Sequence, residues 1–203
     1  MSKKPVIIFE GIEGSGKSFH INSVARYLKN KKISFVKIRE PGGSKNSEII
    51  RKLILSDKSK FNKNTDLLLY LAARSENIKK LQQNYKKKII LLDRFLDSTI
   101  AYQHYGLGVN LKLIKFINSY LLKKFKIDFT FLNIVNEKNM IKRLKVRKKL
   151  NRYDKFKSNF YKKVQDGFIK IAKKSPKKYK IIDSNQNILT NKKIIIKSIQ
   201  RFI

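Results

Sequence analysis

The chain contains no cysteine. Disulfides and thiolate-held metal sites are thereby excluded, and nothing argues for export. Carboxylates are scarce: 14 Asp and Glu against 49 Lys and Arg leave a formal charge of +35 on 203 residues. Long apolar runs are missing too. None approaches the roughly 20 residues of a membrane-spanning helix, so no membrane partner is expected. Met1-Ser2-Lys3-Lys4-Pro5 leads straight into an apolar strand without the hydrophobic core of a signal peptide, and the cytosol is the expected compartment. There is no internal repeat or linker, and the length suits one domain over residues 1–203 with a full core. The excess of positive charge has two readings. A basic surface attracts polyphosphate regardless of sequence, as in a nucleic-acid protein. Compositional drift does the same without function, since Lys, Ile and Asn abound together as AT-rich codons would make them. Lysines such as Lys86-Lys87-Lys88 and Lys173-Lys174 are spread along the chain, not gathered in a tail. Drift is the preferred reading, and no specific nucleic-acid partner is expected.

What is present begins with Gly11-Ile12-Glu13-Gly14-Ser15-Gly16-Lys17-Ser18, which fits the phosphate-loop pattern G-x-x-x-x-G-K-[ST]. An apolar strand, Val6-Ile7-Ile8-Phe9, precedes it. Ile21, Val24, Ala25 and Leu28 recur behind it at helical spacing, so the glycines lie at a strand-to-helix turn. Glycine lets the backbone curl until several N–H groups point at one phosphate, and the helix N-terminus adds positive potential. Lys17 is expected to reach the β- and γ-phosphates of a nucleoside triphosphate and the Ser18 hydroxyl to ligate Mg²⁺.

Five apolar runs read as strands: Val6–Phe9, Ser34–Ile38, Ile89–Leu92, Phe129–Ile134 and Tyr179–Ile182. Amphipathic segments alternate with them. Leu67, Leu71, Ile78 and Leu81 mark one helix, and Ile114, Ile117 and Leu121 a second. Phe156, Phe160, Val164, Phe168 and Ile171 mark a third, while Ile195, Ile199 and Phe202 close the chain. This alternation predicts an α/β fold, a five-stranded parallel sheet with helices on both faces. Right-handed crossovers put the C-terminal strand ends on one rim, where such folds bind ligands. Gly11–Ser18, Arg39-Glu40-Pro41-Gly42-Gly43 and Asp93-Arg94 all follow strands and so share that rim.

Asp93 can organise Mg²⁺ or its waters, and Arg94 can clamp a further phosphate. Tyr70 and Arg74, four residues apart on one helix, project from the same side and could stack a base and bond its carbonyl edge. Arg143, Arg147 and Arg152 stand out in a chain that otherwise uses lysine, and a planar guanidinium suits phosphate oxygens. A GTPase would also show a base-reading Asn-Lys-x-Asp stretch; Asn191-Lys192-Lys193 lacks the aspartate.

Taken together, these motifs resemble bacterial thymidylate kinase along nearly the whole length. The matching elements are residues 9–18, Arg-Glu-Pro-Gly-Gly at 39–43, Leu-Ala-Ala-Arg at 71–74, Asp-Arg-Phe-Leu-Asp-Ser-Thr-Ile-Ala-Tyr-Gln at 93–103, and Ile-Asp-Ser-Asn-Gln at 182–186. The resemblance implies a phosphate-loop nucleoside monophosphate kinase fold with a short mobile lid at about 143–157, transfer from ATP to dTMP with Mg²⁺, and a homodimer. It implies that Tyr70 stacks on thymine, Arg74 contacts the base, and Thr99, Tyr102 and Gln103 line the base and sugar pocket, Tyr102 disfavouring a ribose 2′-hydroxyl. Glu13 would receive the 3′-hydroxyl. Arg39 and Arg94 would hold the acceptor phosphate with Ser98 in support, and Ser18, Asp93 and Glu13 would attend the metal. Asp183, Ser184, Asn185 and Gln186 would lie against adenine. The alternatives are a kinase for another nucleoside monophosphate or a deoxynucleoside, and a basic nucleic-acid-binding ATPase.

One branch of this family carries an arginine inside the phosphate loop and the other supplies it from the lid. Here the variable positions are Ile12, Glu13, Gly14 and Ser15, so the resemblance places the catalytic cations on Arg143, Arg147 and Arg152 beside Lys17, Arg94 and Asp93. Asn151-Arg152-Tyr153-Asp154 departs from the usual Asp-Arg-Phe-Glu. Phe19 replaces a second threonine, with an effect expected on helix packing rather than chemistry. His104 and Leu107 stand where Gly and Arg are typical; His104 is expected in a solvent-facing loop.

Overall fold

The computed structural model describes residues 4–123, 125–147 and 150–203. Five strands, β1 (Val6–Glu10), β2 (Phe35–Arg39), β3 (Ile89–Asp93), β4 (Phe129–Ile134) and β5 (Tyr179–Asp183), pair in the order β2-β3-β1-β4-β5 with every neighbour parallel. The helices are α1 (Lys17–Asn30), α2 (Lys45–Leu55), α3 (Lys63–Asn84), α4 (Leu96–Thr99), α5 (Leu111–Leu122), α6 (Glu137–Lys145), α7 (Ser158–Lys173) and α8 (Ile188–Ile199). The parallel sheet predicted from the alternating pattern is the one observed.

Both faces of the sheet are apolar, which makes the strands read as continuous hydrophobic runs. Ile7 and Phe9 of β1 join Ile89 and Leu91 of β3 beneath Ile21, Val24 and Leu28 of α1 and Ile195 and Ile199 of α8. Val6, Ile8, Ile90 and Leu92 face the other way, toward Leu81 of α3 and Phe95. The register sets Val6 beside Ile90 and Ile7 beside Leu91, so each face stays uniform. Each such side chain contributes about 1.5–3 kcal/mol by leaving water. A further cluster joins Ile12, Tyr102, Tyr153, Tyr161, Val164 and Phe168, tying α7 to the loop end of the sheet.

The strand boundaries shift where the site begins. β1, β3 and β5 each run one residue past the apolar run, to Glu10, Asp93 and Asp183, and β2 spans Phe35–Arg39 instead of Ser34–Ile38. Hydrophobicity could not report these ends, because the rim is polar. Helices α2 and α6 were not anticipated. Ile49 and Leu53 of α2 are exposed, which blurs its apolar stripe, and α6 buries only Met140 and Leu144. Phe156 precedes α7, and Phe202 lies in a 3₁₀ turn after α8.

His104 is not in a loop. It belongs to a π-helical segment, Ile100–Gly106, is half-buried, and sets its ring Nδ1 2.8 Å from the Val109 carbonyl oxygen. The proposed lid region is also more regular than a loop: α6 runs through Lys145, and a 3₁₀ turn covers Arg152–Lys155. Lys148 and Lys149 of that region lie outside the described residues.

The chain turns from β1 to β2 and β3 on one side, then crosses to β4 and β5 on the other. The switch point opens beside β1, and Phe9 pairs with Asp93 at that edge. The loops after β1 and β3 therefore emerge side by side, the position where doubly wound sheets bind ligands.

Candidate active site

The loop after β1 is shaped by backbone that only glycine tolerates. Gly11 has φ of 139°, and a Cβ there would lie 2.2 Å from the Asn133 carbonyl oxygen. Gly16 has φ of 82° and caps α1 in the left-handed conformation, leaving its N–H groups free of a side-chain cap. Lys17 opens the helix and folds back, donating from Nζ to the Ile12 carbonyl at 2.9 Å and to Ser15 Oγ at 3.5 Å. Burial lowers its pKa to about 8, with the charge of Arg94 acting in the same direction. Ser18 Oγ sits in the first turn and donates to Asp93 Oδ2 at 3.4 Å.

Beside the loop is a cavity of about 210 Å³. Five of the chain's nine arginines line it (Arg39, Arg51, Arg74, Arg94 and Arg147), whereas among the described residues Lys17 is its lone lysine. In a chain so rich in lysine, that inversion marks a site built for forked recognition of anions. Arg94 donates from Nη1 to the Gly11 carbonyl at 2.9 Å and to Ser98 Oγ at 3.2 Å, and from Nη2 to Glu13 Oε1 at 2.7 Å. Tyr102 donates to Glu13 Oε2 at 2.5 Å and sets its ring 5.0 Å from the Arg94 guanidinium. Burial raises the Tyr102 pKa well above the phenol range, so the hydroxyl remains a donor.

Arg74 is buried and held on three sides: by Glu40 Oε2 at 2.7 Å, Asn118 Oδ1 at 2.5 Å and Thr99 Oγ1 at 3.0 Å, with Phe95 4.8 Å beneath it. Arg39 pairs with Glu48 at 2.8 Å on the exposed rim. Tyr70 meets Tyr153 edge to face at 6.0 Å. Gln103 donates from Nε2 to Asp66 Oδ2 at 3.1 Å, while its buried Oε1 accepts from no group among the described residues. Gln103 is also among the residues that line the cavity.

The arginines of the 143–157 region divide. Arg147 lines the cavity, pairs with Asp154 at 2.6 Å, and is 39% exposed. Arg143 lies behind the loop, donating to the Gly14 carbonyl at 2.8 Å and the Ser184 carbonyl at 2.6 Å. Arg152 is tied to Asp66 of α3 and does not line the cavity. Ser184 Oγ donates to the Ser15 carbonyl at 2.7 Å, so the β5–α8 turn is fastened to the phosphate loop. In that turn Asn185 donates to Asp183 Oδ1 at 2.7 Å, and Gln186 N–H donates to the Asp183 carbonyl at 3.2 Å. Two neighbourhoods result. Glu13, Lys17, Ser18, Arg39, Tyr70, Arg74, Asp93, Arg94, Ser98, Thr99, Tyr102, Gln103 and Arg147 gather around the cavity; Arg143 and residues 183–186 back the loop.

Sequence reasoning missed Arg51, Leu55, Phe95, Asn151 and Tyr153, which also line the cavity. Arg51 of α2 donates to the Pro41 carbonyl at 2.7 Å. Its signal was available, since it is another arginine in a lysine-rich background. Leu55 and Tyr153 carry no such mark, being apolar or aromatic residues among many.

The family model for thymidylate kinase matches residues 9–195. Thymidylate kinase of Kosmotoga olearia is 34% identical over 184 residues, covering 90% of this chain and 88% of that one. Thymidylate kinase of Sulfurihydrogenibium sp. is 36% identical over 201 residues, covering 96% of each. The crystal structure of thymidylate kinase from Ehrlichia chaffeensis superposes with a TM-score of 0.77 at 33% identity, covering 97% of this chain and 98% of that one.

Proposed function

The chain belongs to the thymidylate kinase family, and we propose that the arginine-lined cavity is where it transfers the γ-phosphate of ATP to dTMP, giving dTDP and ADP. The observation that carries this reading is the concentration of arginine around one small cavity next to a phosphate loop. A nucleoside acceptor has no phosphate to occupy those cations. A nucleoside monophosphate does.

In this reading the labour is divided among the residues around the cavity. Lys17 and the backbone of Gly11, Ile12, Glu13, Gly14, Ser15 and Gly16 take the donor phosphates. Asp183, Ser184, Asn185 and Gln186 lie on the adenine side. Arg39, Arg51 and Arg94 hold the acceptor phosphate, supported by Ser98. Tyr70 and Phe95 bracket thymine, and the stranded Oε1 of Gln103 accepts its ring N–H. Arg74 and Thr99 border its carbonyl edge. Glu13 and Tyr102 form one hydrogen-bonded unit at the sugar, with Glu13 for the 3′-hydroxyl and the Tyr102 ring filling the space of a 2′-hydroxyl.

Because the acceptor is already an anionic phosphate, no strong general base is required. Catalysis consists of aligning two phosphates and neutralising charge on the transferred group. The residues fit Mg²⁺. Ser18 Oγ and Asp93 Oδ2 are hard oxygens 3.4 Å apart, and among the described residues no group of three or more metal-ligating side chains gathers. An ion brought in with the triphosphate, and ligated largely by phosphate and water, suits such a site. When bound, it neutralises charge on the donor phosphates. Glu13 has both oxygens engaged by Arg94 and Tyr102, so in this reading it serves the sugar and leaves the metal to Ser18 and Asp93.

We assign the lid to about residues 143–157, with Arg147 reaching the transferred group and closure excluding water. The enzyme acts as one domain, in the cytosol where ATP and dTMP are held. Supplying ATP, Mg²⁺ and each monophosphate in turn tests the acceptor. ADP release with dTMP should exceed that with dUMP by about tenfold or more, the effect of one methyl group in a fitted pocket. Equal rates with dUMP or dCMP would overturn the assignment.

The homodimer has a surface to form on. Leu113, Phe116 and Tyr120 recur along one side of α5, with Phe116 73% and Tyr120 71% exposed. Ile49 and Leu53 of α2 and Leu68 of α3 are exposed on helices packed in series with it. A second copy covers this face in our reading. Light scattering should give twice the chain mass for the wild type, and Phe116→Asp should shift it toward the monomer. A monomeric wild type refutes the dimer.

A further inference from the structure

Glu10 ends β1 wholly buried and outside the cavity lining. Nothing in binding a triphosphate calls for a carboxylate there, and burial opposes its charge, pushing its pKa up to about 7, with Asp97 adding to the effect. Three donors hold it. The Phe95 N–H at 2.8 Å and the Ser98 N–H at 3.2 Å share Oε1, and the Ser98 hydroxyl donates to Oε2 at 2.5 Å.

The third bond sets the sense of a hydroxyl. The Ser98 hydroxyl has one proton, and with its O–H directed at Glu10 its lone pairs face Arg94 Nη1 at 3.2 Å. Nη1 also serves the Gly11 carbonyl, and Nη2 serves Glu13. These bonds use three of the five N–H groups of the guanidinium, leaving Nε–H and one hydrogen of Nη2, with the Tyr102 hydroxyl also bordering Arg94. Two donors on one planar group are what a phosphate accepts in forked fashion. Arg94 further has φ of 67°, a conformation that a non-glycine residue rarely adopts unless its surroundings hold it. Asp97 does not compete for the Ser98 proton; it accepts from Tyr179 OH at 2.7 Å.

We propose that Glu10 is a positioning residue which, by accepting the Ser98 hydroxyl's hydrogen bond, leaves the lone pairs of that hydroxyl to accept from Arg94 and so aims Arg94 at the acceptor phosphate. This rests on the reading of Arg94 as a phosphate clamp. Glu10→Gln keeps the shape and reverses the bond. The two backbone N–H groups require the amide oxygen, so the amide NH₂ points at Ser98 Oγ and turns the hydroxyl proton toward Arg94.

Calorimetric titration with dTMP and with thymidine tests it, because only dTMP carries the phosphate. In Glu10→Gln the affinity for dTMP should fall about tenfold, the scale of one charge-assisted hydrogen bond, while thymidine affinity stays within about twofold. Ser98→Ala should show the same selective loss, and the double variant little more than either alone. Equal weakening of both ligands would mean a merely structural Glu10 and would overturn the proposal, as would an unchanged dTMP affinity. If the glutamine variant does not fold, Ser98→Ala decides alone by the same selectivity. A wild type that binds dTMP no better than thymidine fails at the clamp itself, and the proposal falls with it.

Discussion

Replacing Lys17 by methionine should lower kcat by about three orders of magnitude while leaving the protein folded. The change removes a charge and nearly conserves volume. Among the described residues Lys17 holds only the Ile12 carbonyl and, more weakly, Ser15 Oγ, so its loss costs stability on the order of 1–2 kcal/mol. Burial already disfavours its charge, lowering the pKa to about 8, and methionine relieves that penalty. Catalysis has no such compensation. The ammonium is the cation the loop itself aims at the donor phosphates, and removing one preorganised donor to developing charge costs about a hundredfold to a thousandfold. A coupled ADP-release assay alongside a thermal melt separates the two effects. Turnover within tenfold of wild type in a folded variant would remove Lys17 from the catalytic set.

Arg147→Ala should cut kcat by about a hundredfold or more while the KM for dTMP moves by less than about threefold. The phosphate loop carries no arginine of its own, and Arg147 is the member of the lid trio that lines the cavity. Its guanidinium is paired with Asp154, so in the proposed mechanism the residue is expected to contribute little to holding dTMP. In that mechanism it becomes valuable once the lid closes on the transferred group. Truncation leaves Asp154 with the Asn151 N–H and Nδ2 bonds that cap the 3₁₀ turn, which keeps the local fold. Arg143→Ala is the informative comparison. That side chain fastens the Gly14 and Ser184 carbonyls, and its loss should weaken ATP binding as well as turnover. An unchanged kcat in Arg147→Ala would move the catalytic charge elsewhere.

The sheet was legible because strands buried on both faces must be apolar end to end, and Phe129–Ile134 was bounded correctly on that ground alone. Helix α2 was not, since Ile49 and Leu53 face outward and spoil the periodicity that burial would have imposed. The phosphate loop was legible because glycine, lysine and serine at fixed spacing have few other uses. Tyr70 and Arg74 came within reach once helical spacing put them on one side. The partner of a guanidinium is another matter. That Arg152 meets Asp66, or Arg74 meets Glu40 and Asn118, depends on contacts between distant segments that spacing along the chain does not encode. His104 was misplaced for a related reason: a π-helical turn has no distinctive composition.

The ion pairs among the described residues have a consequence for how the chain can change. Glu48, Glu40, Glu13, Asp154 and Asp66 pair respectively with Arg39, Arg74, Arg94, Arg147 and Arg152. Lysine cannot reproduce a planar fork that holds two or three acceptors at once. An arginine-to-lysine exchange loses the second bond to Glu48 at Arg39, the Asn118 and Thr99 bonds at Arg74, and the Gly11 and Ser98 bonds at Arg94. Removing the cation altogether strands a carboxylate, steeply so for the buried Glu40 and Asp66. Elsewhere on the surface one cation substitutes for another freely. Within these pairs, removing the acid or the base alone strands its partner, so the two positions are coupled in any substitution.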